Sequence, residues 1–134
     1  MWKIVALIFI LTMTSCTGEK NYALDKGTWE VKEIDGKKEF QKRPWMKFDF
    51  NQMQISGNSS CNNFFGGLTM ENDEVSFENI GATRMACANM STEDLFFTAL
   101  GKIDYFEFID DELHLLSLNR DILIKLEQTQ IQPL

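Results

Sequence analysis

The chain has 134 residues, of which 44% are hydrophobic, 12% aromatic and 25% charged, enough for one globular domain and too few for two. Lys and Arg total 13 against 20 Asp and Glu, a net charge of −7 with no sustained basic run, which excludes a nucleic acid held by phosphate neutralisation. The 11 Phe, 3 Trp and 2 Tyr exclude a disordered chain, and 2 prolines with 8 dispersed glycines exclude fibrous repeats.

The first residues read as an address. Lys3 supplies a positive charge, residues 4–11 form an unbroken apolar run, and small or polar residues lead to Cys16. The run is far short of the roughly 20 residues of a spanning helix. Cys16 directly after Thr14-Ser15 resembles a bacterial lipobox, in which the thiol is acylated and the chain is cut just before it; Met13 stands where Leu is usual. On this reading residues 1–15 are a signal peptide, the protein meets the membrane through the lipid on Cys16, and residues 16–26 are a polar tether. Thr17 is not the Asp that retains such proteins at the inner membrane, so the expected location is the outer membrane, facing the periplasm. The alternative is a soluble secreted protein cut near Ser15. The sequons at Asn58 and Asn89 carry no weight behind a bacterial address.

From Trp29 the pattern has period two. Trp29 and Val31, then Met46, Phe48 and Phe50, then Met53 and Ile55 each alternate with polar residues, as strands with one buried face do. Asn51-Gln52 reads as a tight turn. Leu68 and Met70 face Val75 and Phe77 across the polar residues 71–74. Residues 105–109 and 113–118 flank Asp110-Asp111-Glu112. A last strand, 122–126, puts Ile122, Ile124 and Leu126 on one face.

One segment breaks the period. Ser91 offers a capping hydroxyl with acid at Asp94, and Phe96, Leu100 and Ile103 then form a helical stripe suited to a core. Seven or so strands and one short helix predict a mainly β domain over residues 27–128, a small antiparallel barrel capped or plugged by the helix.

Chemistry-bearing residues are sparse. With Cys16 set aside, Cys61 and Cys87 remain, an even number in an exported protein; a structural disulfide between them is expected, with a reduced pair as the alternative. A single His and no C-x-x-C make a metal site unsupported, and no cofactor-binding fingerprint occurs. His114 reads as a strand residue facing solvent or capped by a neighbour, and residues 110–112 as a solvated turn without calcium-loop spacing. Lys37, Lys38, Lys42, Arg43 and Lys47, diluted by Glu39, suit a solvated loop or anionic headgroups. Asn62, Asn63, Thr83 and Arg84 stand beside the two cysteines. Their short polar side chains suit buried backbone groups where strands bend, or a patch for a ligand or partner.

The most specific text is Ser56-Gly57, Cys61-Asn62 and Phe64 through Gly67, followed by Thr83-Arg84-Met85-Ala86-Cys87 and then Glu93 through Leu100. This resembles the META domain, the family of bacterial heat-shock lipoproteins of the HslJ type, over about residues 27–126. Ser60 stands where members often have Gly, which bears on local turn geometry. The resemblance implies a compact, exported, often lipid-anchored β-barrel-like domain associated with envelope stress, and no established catalytic mechanism. The expected function is therefore a non-enzymatic interaction module with an unidentified protein or small-molecule partner. The alternative is a small-ligand carrier, which would need an apolar cavity left unfilled by Phe64, Phe65, Phe96 and Phe97.

Overall fold

The structure, a computed structural model, describes residues 24, 25 and 27–129. The signal peptide, Cys16 and most of the tether lie outside the described residues. Leu24, assigned to the tether from sequence, is buried in the core, and its carbonyl accepts the Trp29 indole N–H at 3.2 Å.

Eight strands run in order around a closed antiparallel ring: β1 (Thr28–Ile34), β2 (Trp45–Asp49), β3 (Gln54–Asn58), β4 (Asn63–Glu71), β5 (Glu74–Ala82), β6 (Ile103–Ile109), β7 (Glu112–Ser117) and β8 (Ile122–Thr129). The one helix, α1 (Ser91–Leu100), lies between β5 and β6 in sequence. The inward face is the apolar set read from the alternation: Trp29, Val31, Met46, Phe48, Ile55, Phe64, Leu68, Val75, Leu113, Leu115, Ile124 and Leu126. In β1 a bulge between Val31 and Glu33 shifts the phase, so that Ile34 turns inward rather than Glu33.

Several boundaries differ from the sequence expectation. Met53 does not alternate with Ile55 in a strand; it sits in the β2–β3 turn at φ 50, exposed, with its carbonyl bound by the Leu68 N–H at 2.9 Å. The strand at Leu68 begins earlier, at Asn63, so the Cys61–Asn62 motif leads directly into β4. Ile103 opens β6 instead of completing a helical stripe, because α1 ends at Gly101, whose N–H closes the last turn on Phe97. Ile122 lies at a strand end and is exposed, unlike Ile124 and Leu126.

The ring is unevenly closed. β4 and β5 pair along nearly their full lengths, whereas β5 and β6 share one ladder pair, Glu74 with Tyr105. The Phe106 N–H adds a bond to the Asp73 carbonyl at 2.9 Å. Arg120 of the β7–β8 turn braces this seam, its guanidinium 3.6 Å from the Tyr105 ring centroid and 2.6 Å from Asp73 Oδ2. That contact holds the Asp73 carboxyl below the usual carboxylate range.

α1 plugs one end of the ring. Phe96 and Phe97 pack on Phe64 with centroids 5.3 and 5.8 Å away, and Phe64 also presses on Gly57. A β-carbon at Gly57 would come 2.1 Å from the Trp45 carbonyl oxygen, so the Ser-Gly of the motif is a requirement for close strand approach.

Candidate functional site

The motif residues converge where β3, β4, β5 and α1 meet. Cys61 and Cys87 are joined in a disulfide with Cα atoms 6.0 Å apart, Cys61 buried and Cys87 exposed. The bridge fastens residues 83–90, which have no helix or strand, to the start of β4.

Asn62 ties the same segment down a second time. Its side-chain amide donates to the Met85 carbonyl at 3.2 Å, and its Oδ1 accepts the Met85 N–H at 2.7 Å and the Thr83 hydroxyl at 3.0 Å. Thr83 Oγ1 accepts the Asn63 N–H at 3.1 Å, and Asn58 donates to the Asn63 side chain at 2.9 Å. Three of the four residues of the expected polar patch thus meet as a hydrogen-bonded knot. Arg84 does not join it; its side chain is exposed and has no acidic partner within ion-pair distance among the described residues.

The residue the sequence reading missed is Glu93. It was legible as an acid at a helix start, and it is instead turned inward, 7% exposed. Its Oε2 accepts the Ser59 hydroxyl and, at 2.8 Å, the Asn62 N–H, while Oε1 accepts the Asn62 amide at 2.9 Å. Burial opposes ionisation of this carboxyl, but the donors on Ser59 and Asn62 hold it below the usual range. The expected cap at Ser91 is absent. Met90 occupies the N-cap without a side-chain cap bond, and the Ser91 N–H is taken by Asn89 Oδ1 at 2.9 Å. Ser91 has moved one place into the helix, leaving Glu93 facing the β3–β4 connection.

Ser60, on that connection, has φ 92, a conformation that favours glycine. It is the position where the resemblance leads one to expect Gly. Ser60→Gly is expected to raise stability by about 1 kcal/mol, read as a higher urea midpoint at unchanged slope.

Other titratable groups belong to an ionic belt on the outer wall. His114 is buried there, 5% exposed, with Nε2 3.0 Å from Glu112 Oε2 and Nδ1 3.7 Å from Glu107 Oε1. It is capped by its neighbour, one of the two expected states. Lys32 pairs with Glu112 and lies 3.5 Å from Glu127. Of the basic cluster, Arg43 pairs with Glu30 and Glu127, and Lys38 lies 3.8 Å from Glu33. Lys37 and Lys47 lie over Phe40 and Trp45. Carboxylates thus match Lys38 and Arg43, while Lys37, Lys42 and Lys47 have no acidic partner within ion-pair distance among the described residues.

Apolar side chains are exposed on both faces of the β4–β5 pair and on the segment that follows it. Phe65, Met85 and Ile80 are 63%, 58% and 37% exposed. Phe65 lies across Gly81 and Ile80 across Gly66, positions where a β-carbon would sit 2.7 and 2.4 Å from those side chains. Around the corner, Phe77, Ile80, Ala82, Phe97, Leu100 and Gly101 line an apolar groove of about 330 Å³. The carrier reading needed space inside the ring, and Phe64 and Phe96 fill the plugged end. Among the described residues the apolar groove opens in the gap beside β5, between Phe77 and Ala82 on one side and Phe97 and Leu100 on the other.

Solved structures share this fold. An NMR structure of a protein from Burkholderia xenovorans is 24% identical, with a TM-score of 0.61 over 80% of this chain and 84% of that one. A second NMR structure is 23% identical, with a TM-score of 0.64 over 82% and 95%. A crystal structure of a DUF4847 family protein from Bacteroides vulgatus is 13% identical, with a TM-score of 0.60 over 82% and 97%. No curated protein matches this chain. The META domain model matches residues 22–130, spanning every strand and both cysteines of the bridge, and the chain therefore belongs to the META domain family.

Proposed function

We propose that this protein is an envelope lipoprotein, acylated at Cys16, whose META domain is a non-catalytic, stress-associated module that binds a partner through the wall formed by β4, β5 and the end of α1. The observation that carries this reading is the exposed apolar surface there: Phe65 on one face of the β4–β5 pair, Ile80 on the other where it lines the groove between β5 and α1, and Met85 on the segment that follows β5. Glu93 and the disulfide support the wall rather than react, since the carboxylate accepts three hydrogen bonds and both sulfurs are bonded. The lipid anchor rests on the spacing of residues 4–16, and the stress role on the family resemblance.

A photo-crosslinking residue placed at Phe65 or Ile80 of the full-length protein should yield adducts in the membrane fraction of stressed cells. The same residue at Lys42, on the β1–β2 connection, should not. Cys16→Ser should leave the membrane fraction or accumulate with its signal still attached. Adducts from Lys42 alone would overturn the binding wall, and a processed, membrane-bound Cys16→Ser protein would overturn the anchor.

A further inference from the structure

Resting on that reading, we propose that β5 takes up an extended segment of a partner polypeptide as an added strand, with apolar side chains in the groove and acidic residues at both ends of the segment. The backbone sets the terms. Across the two-residue turn, Glu71 pairs with Glu74, Thr69 with Ser76 and Gly67 with Glu78. In an antiparallel ladder these alternate residues bond β4, so Val75 and Phe77 direct their N–H and C=O away from it. Past the bulge between Phe65 and Gly67, the Thr83 N–H bonds the Asn63 carbonyl, which turns Ala82 outward by the same alternation.

Among the described residues β6 takes up that edge only beside Glu74 and Val75. The only ladder pair between β5 and β6 is Glu74 with Tyr105. Continuing this register would set Lys102 opposite Phe77, but the chain has already turned there, the Lys102 N–H closing on the Ala99 carbonyl at 3.0 Å. The track that β6 would occupy alongside residues 77–82 is therefore open, walled by β5 on one side and by Phe97 and Leu100 on the other. An extended backbone can complete such an edge, and its alternate side chains then enter the groove.

Charge defines the occupant further. Arg84 lies just beyond Ala82 at one end of the track, and Lys102 follows Gly101 at the other. Neither has an acidic partner within ion-pair distance among the described residues, whereas Lys32, Lys38, Arg43, Arg120 and Lys125 all do. The other described cations without one, Lys37 and Lys42 on the β1–β2 connection and Lys47 on β2, are not part of the groove. In a protein of net charge −7, two unmatched cations bracketing an apolar groove complement a segment with acidic ends. The φ of 52 at Asn79 and the exposed Glu78 blunt the edge against unselective pairing, so the groove and the two cations supply the choice of partner.

The test uses the folded mature domain and a synthetic peptide of about eight residues, enough at a strand's rise to cover residues 77–82 and place one residue beyond each end. The peptide has blocked termini, Val, Ile and Phe in its middle and Asp at both ends. Amide NMR shifts should change saturably at residues 77–82 and in the last turn of α1. N-methylating alternate peptide nitrogens should abolish binding, and Lys in place of Asp at the ends should weaken it about tenfold. Ala82→Pro removes an outward N–H without touching the β4 ladder, and it should abolish binding while melting near the parent. Arg84→Glu combined with Lys102→Glu, both at the surface, should weaken binding of the Asp peptide. Absence of shifts at β5, or equal binding of the N-methylated peptide, would overturn strand addition. If crosslinking from Phe65 and Ile80 persisted in that case, the wider reading of an interaction wall would stand on its own.

Discussion

Glu93→Ala is expected to lower the unfolding free energy by about 2–4 kcal/mol, because the change strands the Ser59 hydroxyl, the Asn62 N–H and the Asn62 amide in a buried place. Hydrogen bonds to a buried carboxylate are charge-assisted, and these three join the β3–β4 connection to a helix more than thirty positions away, with sequence separations of 31 and 34. Glu93→Gln keeps the shape and removes the charge, so it should cost less at neutral pH. The pH dependence has a definite sign. The folded carboxyl ionises below its unfolded value of 4.5, so its contribution is complete above about pH 4.5 and is lost as the pH falls through the lower folded value. Glu112, held down by Lys32 and His114, and Asp73, held down by Arg120, act in the same direction. Urea midpoints measured at pH 7 and at acid pH should show a smaller acid loss in Glu93→Gln than in the parent. An equal loss would mean that Glu93 does not carry the acid limb.

The second large effect belongs to the disulfide. Cys61→Ser with Cys87→Ser opens a loop of 26 residues, and loop-closure entropy puts the loss at about 3–4 kcal/mol. For a domain of this size that is roughly a 10–15 °C drop in melting temperature. The double mutant should remain folded, since Asn62 still holds the backbone of Met85 and Thr83 still bonds Asn63. Loss of protection should be concentrated in residues 83–90, which hydrogen exchange would read directly. Mass spectrometry of the non-reduced protein from the envelope should find no free thiol at either position. Two free thiols, or an unshifted melt, would show that the bridge is not a staple. Combining the double mutant with Asn62→Ala should exceed the sum of the separate losses, because both fasten one segment.

Much of the fold was legible because a period of two has one physical meaning. Trp29 with Val31, Met46 with Phe48, and Ile124 with Leu126 alternate with polar residues, and each pair is buried in the ring. The polar pairs Asn72-Asp73 and Asp110-Asp111 mark turns for the reason that places Asn72, Asp110 and Asp111 at positive φ, a conformation that short polar side chains tolerate. Local text failed where a residue's partner lay far along the chain. Glu93 near a helix start fits a cap and a core contact equally well. The choice was made by Ser59 and Asn62, which are supplied only when β3 and β4 come beneath α1.

The sequence by itself determined an acidic single domain, mainly β, with one helix, an even pair of cysteines after Cys16, and the motifs of the META family. Only the tertiary structure decided that Asn62, Asn63 and Thr83 form a satisfied knot while Arg84 stays free, and that the aromatic residues after the first cysteine divide between core and surface, Phe64 inside and Phe65 outside. It also decided that β5 overruns β6 and leaves an open edge. The alternation of a strand is a property of neighbouring residues and can be read locally. The stagger between two strands is set by every register and bulge around the ring, and no local stretch of sequence contains it.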